Sequence, residues 1–308
     1  MYNISIIIPH KNTPQLLERC IASIPERNDI QIIVVDDHST PPLQTLKQFS
    51  DQRNIEIHQL DKQHQGAGAA RNEGLHHIKG RLLIFSDSDD FFHPSIFQLC
   101  DKYLNTDIDI IFFDTNSVMS DTMQPINKRD TTIDLYKKSH DENILRYQHH
   151  TVWGKIFRTS LISNFNIKFQ EVSASNDAYF AVQAGFFAKK IIFEPVIAYC
   201  STVRKGSICT EISKKNIDSR IFVGKSINKL LSQKNIHVKY WTNILGPIFN
   251  MKKISYLCFG TEIFKYFAST PLNRIYLDFK ESGKRLIKRH QGQVNDKDIK
   301  SLQTIRKQ

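Results

Sequence analysis

At 308 residues, 40% hydrophobic and 24% charged, the chain has the composition of a folded globular protein long enough for a sizeable core. It contains no low-complexity stretch, no fixed-period repeat and no run of about 18 apolar residues, which excludes solenoids, long disordered segments and a bilayer-spanning helix. The formal charge of +11 is unevenly placed: residues 201–308 hold 22 lysines and arginines against 7 acids, and the first 200 residues are mildly acidic.

The first hundred residues alternate strand and helix. Ser5–Ile8 is a short β-rich run ended by Pro9, and Thr13-Pro14 reads as N-cap and first helical residue before Leu16, Leu17, Cys20, Ile21 and Ile24 at helical spacing. Gln31–Val35 is a second strand running into Asp36-Asp37-His38, with a helix expected after Pro41-Pro42. A third strand is predicted near Asn54–His58, a helix over Gly66–Lys79, and a fourth strand over Arg81–Phe85 leading into Asp87-Ser88-Asp89-Asp90. Pro94 opens a helix to about Leu104, and Asp109–Phe113 is another strand. The signal weakens over 115–150, which reads as polar and loop-rich. Trp153–Phe157 then reads as a strand, Ser175–Ala188 as a helix with Asp177 in its first turn, and Lys190–Phe193 and Val196–Tyr199 as two strands. From Lys214 onward the pattern is helical and basic. Ile217, Ile221, Ile227, Leu230 and Leu231 form one face, and Tyr240, Trp241, Ile244, Leu245, Ile248 and Phe249 an apolar patch.

This order predicts an α/β fold with a mostly parallel central sheet, helices on both faces, and ligands at the carboxyl ends of the strands. Both acidic clusters follow strands directly, so both belong to that rim, where they repel each other unless a cation or polar ligand compensates. An oxygen-only donor set such as Asp87 and Asp89 suits Mg2+ or Mn2+ bridging to substrate phosphates; the plain alternative is an acidic turn capping the next helix. Asp37 reads either as a turn acid or as an acceptor for a nucleobase or ribose. Gly66-Ala-Gly-Ala-Ala-Arg71 superficially resembles a dinucleotide fingerprint, but Arg71 stands where the third glycine belongs and the helix follows the third strand, which excludes that reading. Asp177 is the best-placed general base in the second half, against the alternative of a dipole-complementing helix acid.

These motifs in their order, Ile4–Pro9, IIVVDDHST at 32–40, GAGAARNEGL at 66–75, LLIFSDSDD at 82–90 and His93-Pro94, resemble those of family 2 glycosyltransferases with the GT-A fold. The resemblance continues more weakly through WGKIFRTSLI at 153–162, SNDAYF at 175–180 and YCSTVRKGSI at 199–208. It implies an inverting hexosyl- or N-acetylhexosaminyltransferase that uses a nucleoside-diphosphate sugar, usually UDP-linked, in surface-polysaccharide synthesis of the lipopolysaccharide or capsule type. On that resemblance Pro9 and Asp37 sit at the base pocket, Arg71, Asp87 and Ser88 bind the donor, Asp89 with Asp87 holds Mn2+ or Mg2+, and Asp177 is the catalytic base. The chain departs from the family's pattern at Asn176, where Glu is common, at His38 after the double Asp, and after Tyr199, where Arg204 and Lys205 replace an extra metal-ligating His. A catalytically degenerate nucleotide-sugar-binding protein is the alternative.

The expected organisation is a nucleotide-sugar-binding half over 1–115, an acceptor-side half of the same domain over 116–210, and a basic helical extension over 211–308. That extension, with its aromatics among lysines, predicts a peripheral enzyme on an anionic membrane surface acting on a lipid-linked saccharide, with Lys252, Lys253 and the Lys284–Arg289 cluster facing the lipid. No nucleic-acid motif accompanies the charge, so nucleic acid is not an expected partner. The alternatives for this region are a lid, a dimer contact or a solvated surface. Cys20, Cys100, Cys200, Cys209 and Cys258 lack metal-type spacing and read as reduced thiols of a cytoplasmic protein, and the apolar stretch at Ile4–Ile8 reads as a strand, not a signal peptide.

Overall fold

The computed structural model describes residues 1–40, 55–127, 130–204 and 212–282. They fall into two compact units, Met1–Glu211 and Ile212–Gln308. In the first unit, β1 (Ile4–His10), β2 (Ile30–Asp36) and β4 (Leu82–Phe85) are buried along their whole length, as expected of strands covered on both faces. With β3 (Ile55–Gln59) they form a parallel set in which Ile6 pairs Ile32 and Ile7 pairs Phe85. Alternation sends Ile6, Ile8, Ile32 and Val34 into one core with Leu17, Cys20 and Ile21 of α1 (Pro14–Ala22). Ile7, Ile33 and Val35 join the opposite core with Ala69 and Ala70 of α2 (Ala67–Leu75).

Among the described residues the full sheet order is β3-β2-β1-β4-β7-β6-β8-β5. Here β5 is Phe91–Phe92, β6 Ile110–Met119, β7 Lys155–Arg158 and β8 Ile191–Val203. The β7 strand is antiparallel to both β4 and β6, and β5 to β8, so the sheet is mixed though mostly parallel. The flanking helices of the second half are α3 (Ser95–Tyr103), α4 (Thr132–Ser139), α5 (Glu142–Tyr147), α6 (Thr159–Asn164) and α7 (Asn176–Phe187).

Four local expectations are corrected. Pro9 does not end β1, which runs on to His10; β4 pairs with β1 only as far as Ile7, so the missing Pro9 amide costs no bond on that side. The helix after Gly66 stops near Leu75, because the amides of Lys79 and Gly80 are captured by Gln31 Oε1 at 2.9 Å and Ser5 Oγ at 2.8 Å. Residues 115–150 hold the end of β6 and two short helices, whose few apolar residues, Ile133, Leu145 and Tyr147, are enough to seat them. The two strands expected at 190–199 are one 13-residue strand, β8, whose irregular register against β6 near Asp114 breaks the alternation that sequence patterning relies on. The helix expected after Pro41-Pro42 and the Lys284–Arg289 cluster lie outside the described residues.

The second unit is helical: α8 (Lys214–Gln233), a 3-10 turn (Val238–Tyr240), α9 (Leu245–Met251), α10 (Tyr256–Ser269) and α11 (272–282). Its core gathers Ile217, Ile221, Ile244, Leu245, Ile248, Met251 and Tyr266. Leu230 stays half-buried, off the packed face that holds Ile217 and Ile227. The fully buried Arg274 uses its two terminal nitrogens: it donates to Val238 O at 2.7 Å and pairs with Asp278, which also accepts from Tyr266 Oη at 2.7 Å. No helix among the described residues is long and apolar enough to cross a membrane.

Candidate active site

Because β1, β2 and β4 are parallel, their carboxyl ends deliver Lys11, Asp36-Asp37 and Asp87–Asp90 to one rim. The members of each acidic cluster then part company. Asp36 turns into the sheet, where it accepts from Ser39 N at 3.2 Å, bonds Ser39 Oγ and meets His10 Nδ1 at 3.1 Å. Asp37 faces the rim. Its Oδ2 accepts from Lys11 Nζ at 3.2 Å and from Gly66 N at 3.0 Å, whereas its Oδ1 is buried with no hydrogen-bond partner. A buried, half-satisfied carboxylate is costly unless a donor from outside completes it. Gly66 reaches it with φ +90°, a conformation that side-chain-bearing residues rarely adopt. Pro9 lies buried within β1, two residues before Lys11.

The DSDD turn is sorted in the same way. Asp90 is fully buried and accepts from Tyr199 Oη at 2.7 Å and Thr202 N at 2.6 Å, so both of its oxygens are engaged by β8. Burial, then the charges of Asp87 and Asp89, push its carboxyl well above the ordinary range. Asp87 and Asp89 remain partly exposed, and carboxylate oxygens of all three acids come within 4.8 Å of one another. Ser88 Oγ meets Thr13 Oγ1 at 3.3 Å at the start of α1. Arg19 braces the turn from α1, donating to Asp89 O at 2.5 Å, and Arg204 Nε stands 3.4 Å from Asp89 Oδ2. Lys205 lies outside the described residues. With Asp90 committed to β8, Asp87 and Asp89 are the pair that fits a divalent cation, and their oxygen-only chemistry and mutual repulsion fit Mg2+ or Mn2+.

Arg71 links this turn to the second half of the sheet. It is buried, donates to Asp87 Oδ1 at 2.5 Å and to Asn176 Oδ1 at 2.7 Å, and lies over the Phe169 ring. The link requires α2 to press against the chain before α7: a Cβ at Gly68 would stand 2.6 Å from Gln170 O and 3.1 Å from Asn176 Cβ. Asp177, next to Arg71's partner and in the first turn of α7, is half-buried. Burial raises its carboxyl above the ordinary value, with Arg71 opposing and Asp87 reinforcing the shift. Asn176, the position that departs from the usual Glu, is therefore a hydrogen-bond acceptor for Arg71.

Three features of this region carry no sequence signal. Tyr199 is the hub beneath the acidic turn: it stacks on Trp153 with ring centroids 5.8 Å apart, accepts from Asp87 N at 3.1 Å and donates to Asp90. Lys155 is buried and donates to His149 Nδ1 at 2.5 Å, to His149 O at 2.9 Å and to Thr151 O, pinning the turn that leads into Trp153. Burial draws Lys155 down to about 7, against the pull of Asp130 and Asp177, and draws His149 down to about 3. Lys11 has no motif around it, and only the register of β1 on β2 places it beside Asp37.

Comparison with known proteins agrees with this architecture. Residues 5–164 match the model of "Glycosyl transferase family 2". The chain is 27% identical over 251 residues to the putative glycosyltransferase EpsH of Bacillus subtilis, covering 75% of this chain and 70% of that protein. It is 24% identical over 216 residues to the poly(ribitol-phosphate) beta-N-acetylglucosaminyltransferase TarS of Staphylococcus aureus, covering 67% of this chain but only 36% of TarS. Among solved structures, the S. aureus TarS 1-349 complex with UDP-GlcNAc superposes with a TM-score of 0.61 at 18% identity, covering 88% of this chain and 77% of that one. The mannosyltransferase PcManGT of Pyrobaculum calidifontis, in complex with GDP-Man and Mn2+, gives 0.54 at 15% identity over 93% of this chain and 81% of that one. These likenesses establish the GT-A fold, and with more than half of the sequence inside the family model the chain belongs to glycosyl transferase family 2.

Proposed function

We propose that the protein is an inverting transferase that moves one sugar from a nucleoside diphosphate, UDP before GDP, to a hydroxyl of a saccharide acceptor, lipid-linked, in the assembly of a bacterial surface polymer. The observation that carries the reading is the Asp87–Arg71–Asn176 bridge, which brings the acidic turn and Asp177 to one rim. Asp37 supplies the nucleotide contact: its unpaired Oδ1 suits the imide N–H of a uracil, with Pro9 and Lys11 beside it. Arg71 and Ser88 orient the diphosphate end. A divalent cation held by Asp87 and Asp89 would neutralise charge on the departing diphosphate. Asp177 accepts the proton of the acceptor hydroxyl as its oxygen bonds to the anomeric carbon and the bond to the diphosphate oxygen breaks on the opposite side. Its raised affinity for protons makes it a stronger base than an exposed aspartate. The complexes of TarS with UDP-GlcNAc and of PcManGT with GDP-Man and Mn2+ support the donor class and the cation, and the poly(ribitol-phosphate) acceptor of TarS supports a surface-polymer acceptor.

The test is nucleotide release from a panel of UDP- and GDP-sugars in the presence of Mn2+, beside Asp89→Ala and Asp177→Asn. Release with one donor, lost in both variants, is expected. Release that survives Asp177→Asn would remove the base from the mechanism. Donor binding without any release, even with lipid-linked acceptor extracts, would leave a nucleotide-sugar-binding protein.

A further inference from the structure

The helical unit carries an apolar surface that its own core does not use. One side of α10 packs inward through Phe259, Ile263 and Tyr266. Its solvent side is equally apolar: Tyr256, Gly260, Phe264 and Phe267 recur at three- and four-residue spacing with Leu257 and Ala268 beside them, and no charge interrupts them. Tyr256 is 77% exposed, Leu257 82% and Phe264 75%. The charged residues of α10, Glu262 and Lys265, pair with each other at one border, where Glu262 also meets Lys225. A water-facing helix normally shows the reverse pattern, so a helix apolar on both sides is one that is buried when it works. The face continues onto α11, where Leu272, Tyr276 and Phe279 share a stripe; Leu272 is 85% exposed and Tyr276 66%, and the Phe279 ring stacks on Phe267 with centroids 6.3 Å apart. Apolar residues so exposed and so contiguous mark a docking surface.

We propose that this α10–α11 face inserts into the surface of a bilayer rich in anionic phospholipid. Charge chooses the occupant. Residues 212–282 hold 12 lysines and arginines against 4 acids, with Lys252 and Lys253 just before α10 and Lys280 beside the α11 stripe. A second copy would bring the same positive charge to the contact and be repelled, whereas anionic headgroups are attracted to it. The aromatics suit the interface, where one ring edge is apolar and the other wet. At 14 residues α10 is too short to span a bilayer, so it lies in the plane of the headgroups with its apolar side down. The inference rests on the lipid-linked acceptor reading only for its biological sense, since vesicle binding is measured without donor or acceptor and its failure leaves transferase activity untouched.

The experiment is co-sedimentation of the full chain with vesicles of phosphatidylglycerol and phosphatidylcholine, and of phosphatidylcholine alone, at low and high salt, with light scattering in parallel. Wild-type protein is expected to partition onto the anionic vesicles, with partitioning reduced by salt. Leu257→Ser with Phe264→Ser removes two exposed side chains that no core contact needs, so the far-UV circular dichroism stays unchanged while partitioning falls roughly tenfold or more. Lys252→Glu with Lys253→Glu abolishes the preference for anionic over zwitterionic vesicles. Absence of wild-type binding to anionic vesicles, or unchanged binding of the Leu257→Ser/Phe264→Ser protein, overturns the proposal. So does a wild-type dimer that the same double variant converts to monomer without any change in vesicle binding.

Discussion

Asp89 and Asp90 are neighbours in sequence and opposites in role. Asp90 spends both oxygens on Tyr199 and Thr202, so Asp90→Ala strands two buried donors and is expected to destabilise the protein by roughly 2–4 kcal/mol in urea titration. Asp90→Asn keeps an acceptor for Thr202 and relieves the crowding of like charges, and should cost under about 1 kcal/mol. Asp89→Asn should leave stability near wild type while removing cation-dependent turnover. Lys155 makes a second prediction. With its ammonium drawn to about 7 by burial, the folded chain binds fewer protons there than the unfolded chain between about pH 7 and the ordinary lysine value of 10.5. Stability contributed by this residue therefore rises with pH across that window. The thermal midpoint of wild type should climb relative to Lys155→Met from pH 7 to 9, on top of the constant loss caused by two unpaired carbonyls. Parallel profiles would mean that Lys155 keeps its proton when folded.

Among elements, the approach of α2 to the start of α7 is the one on which the proposed site depends. It is set by Gly68, where any side chain meets the Gln170 carbonyl, and its product is the span of Arg71 from Asp87 to Asn176. Gly68→Ala is expected to cost about 1–3 kcal/mol and to lower kcat more than it raises the donor KM, because the displaced guanidinium loosens the acidic turn and Asp177 together. Steady-state kinetics with circular dichroism separates this from unfolding; an active Gly68→Ala enzyme would show that α2 can retreat without harm. The sequence marked α2 by its small residues, but a run of Gly and Ala is equally consistent with a phosphate cradle, a close helix contact or both. The periodicity of α4 and α5 is too short to register in sequence, and the register shifts of β8 against β6 interrupt the period-two pattern that would mark it as one strand.

For the molecule as a whole, each unit has its own hydrophobic core, and the basic charge lies in the second. A chain ended after residue 211 is expected to unfold in one cooperative urea transition and to retain donor hydrolysis; loss of that transition would show that the two units fold only together. The sequence by itself determined the parallel β-α core and the rim that carries both acidic clusters, and with the family resemblance it marked Asp37, Arg71, Asp87, Asp89 and Asp177 as candidates there. It could do so because an apolar strand followed at once by acids is a local pattern, and in a parallel sheet the strand's direction fixes which edge the acids occupy. Only the tertiary structure decided which acid of each cluster faces the rim, that Tyr199 and Lys155 support it from below, and that α10 is apolar on its outer side as well as its inner one. Those are matters of which partner takes each buried oxygen and which face another element covers, and partners as distant in sequence as Asp90 and Thr202 meet only when the sheet closes between them.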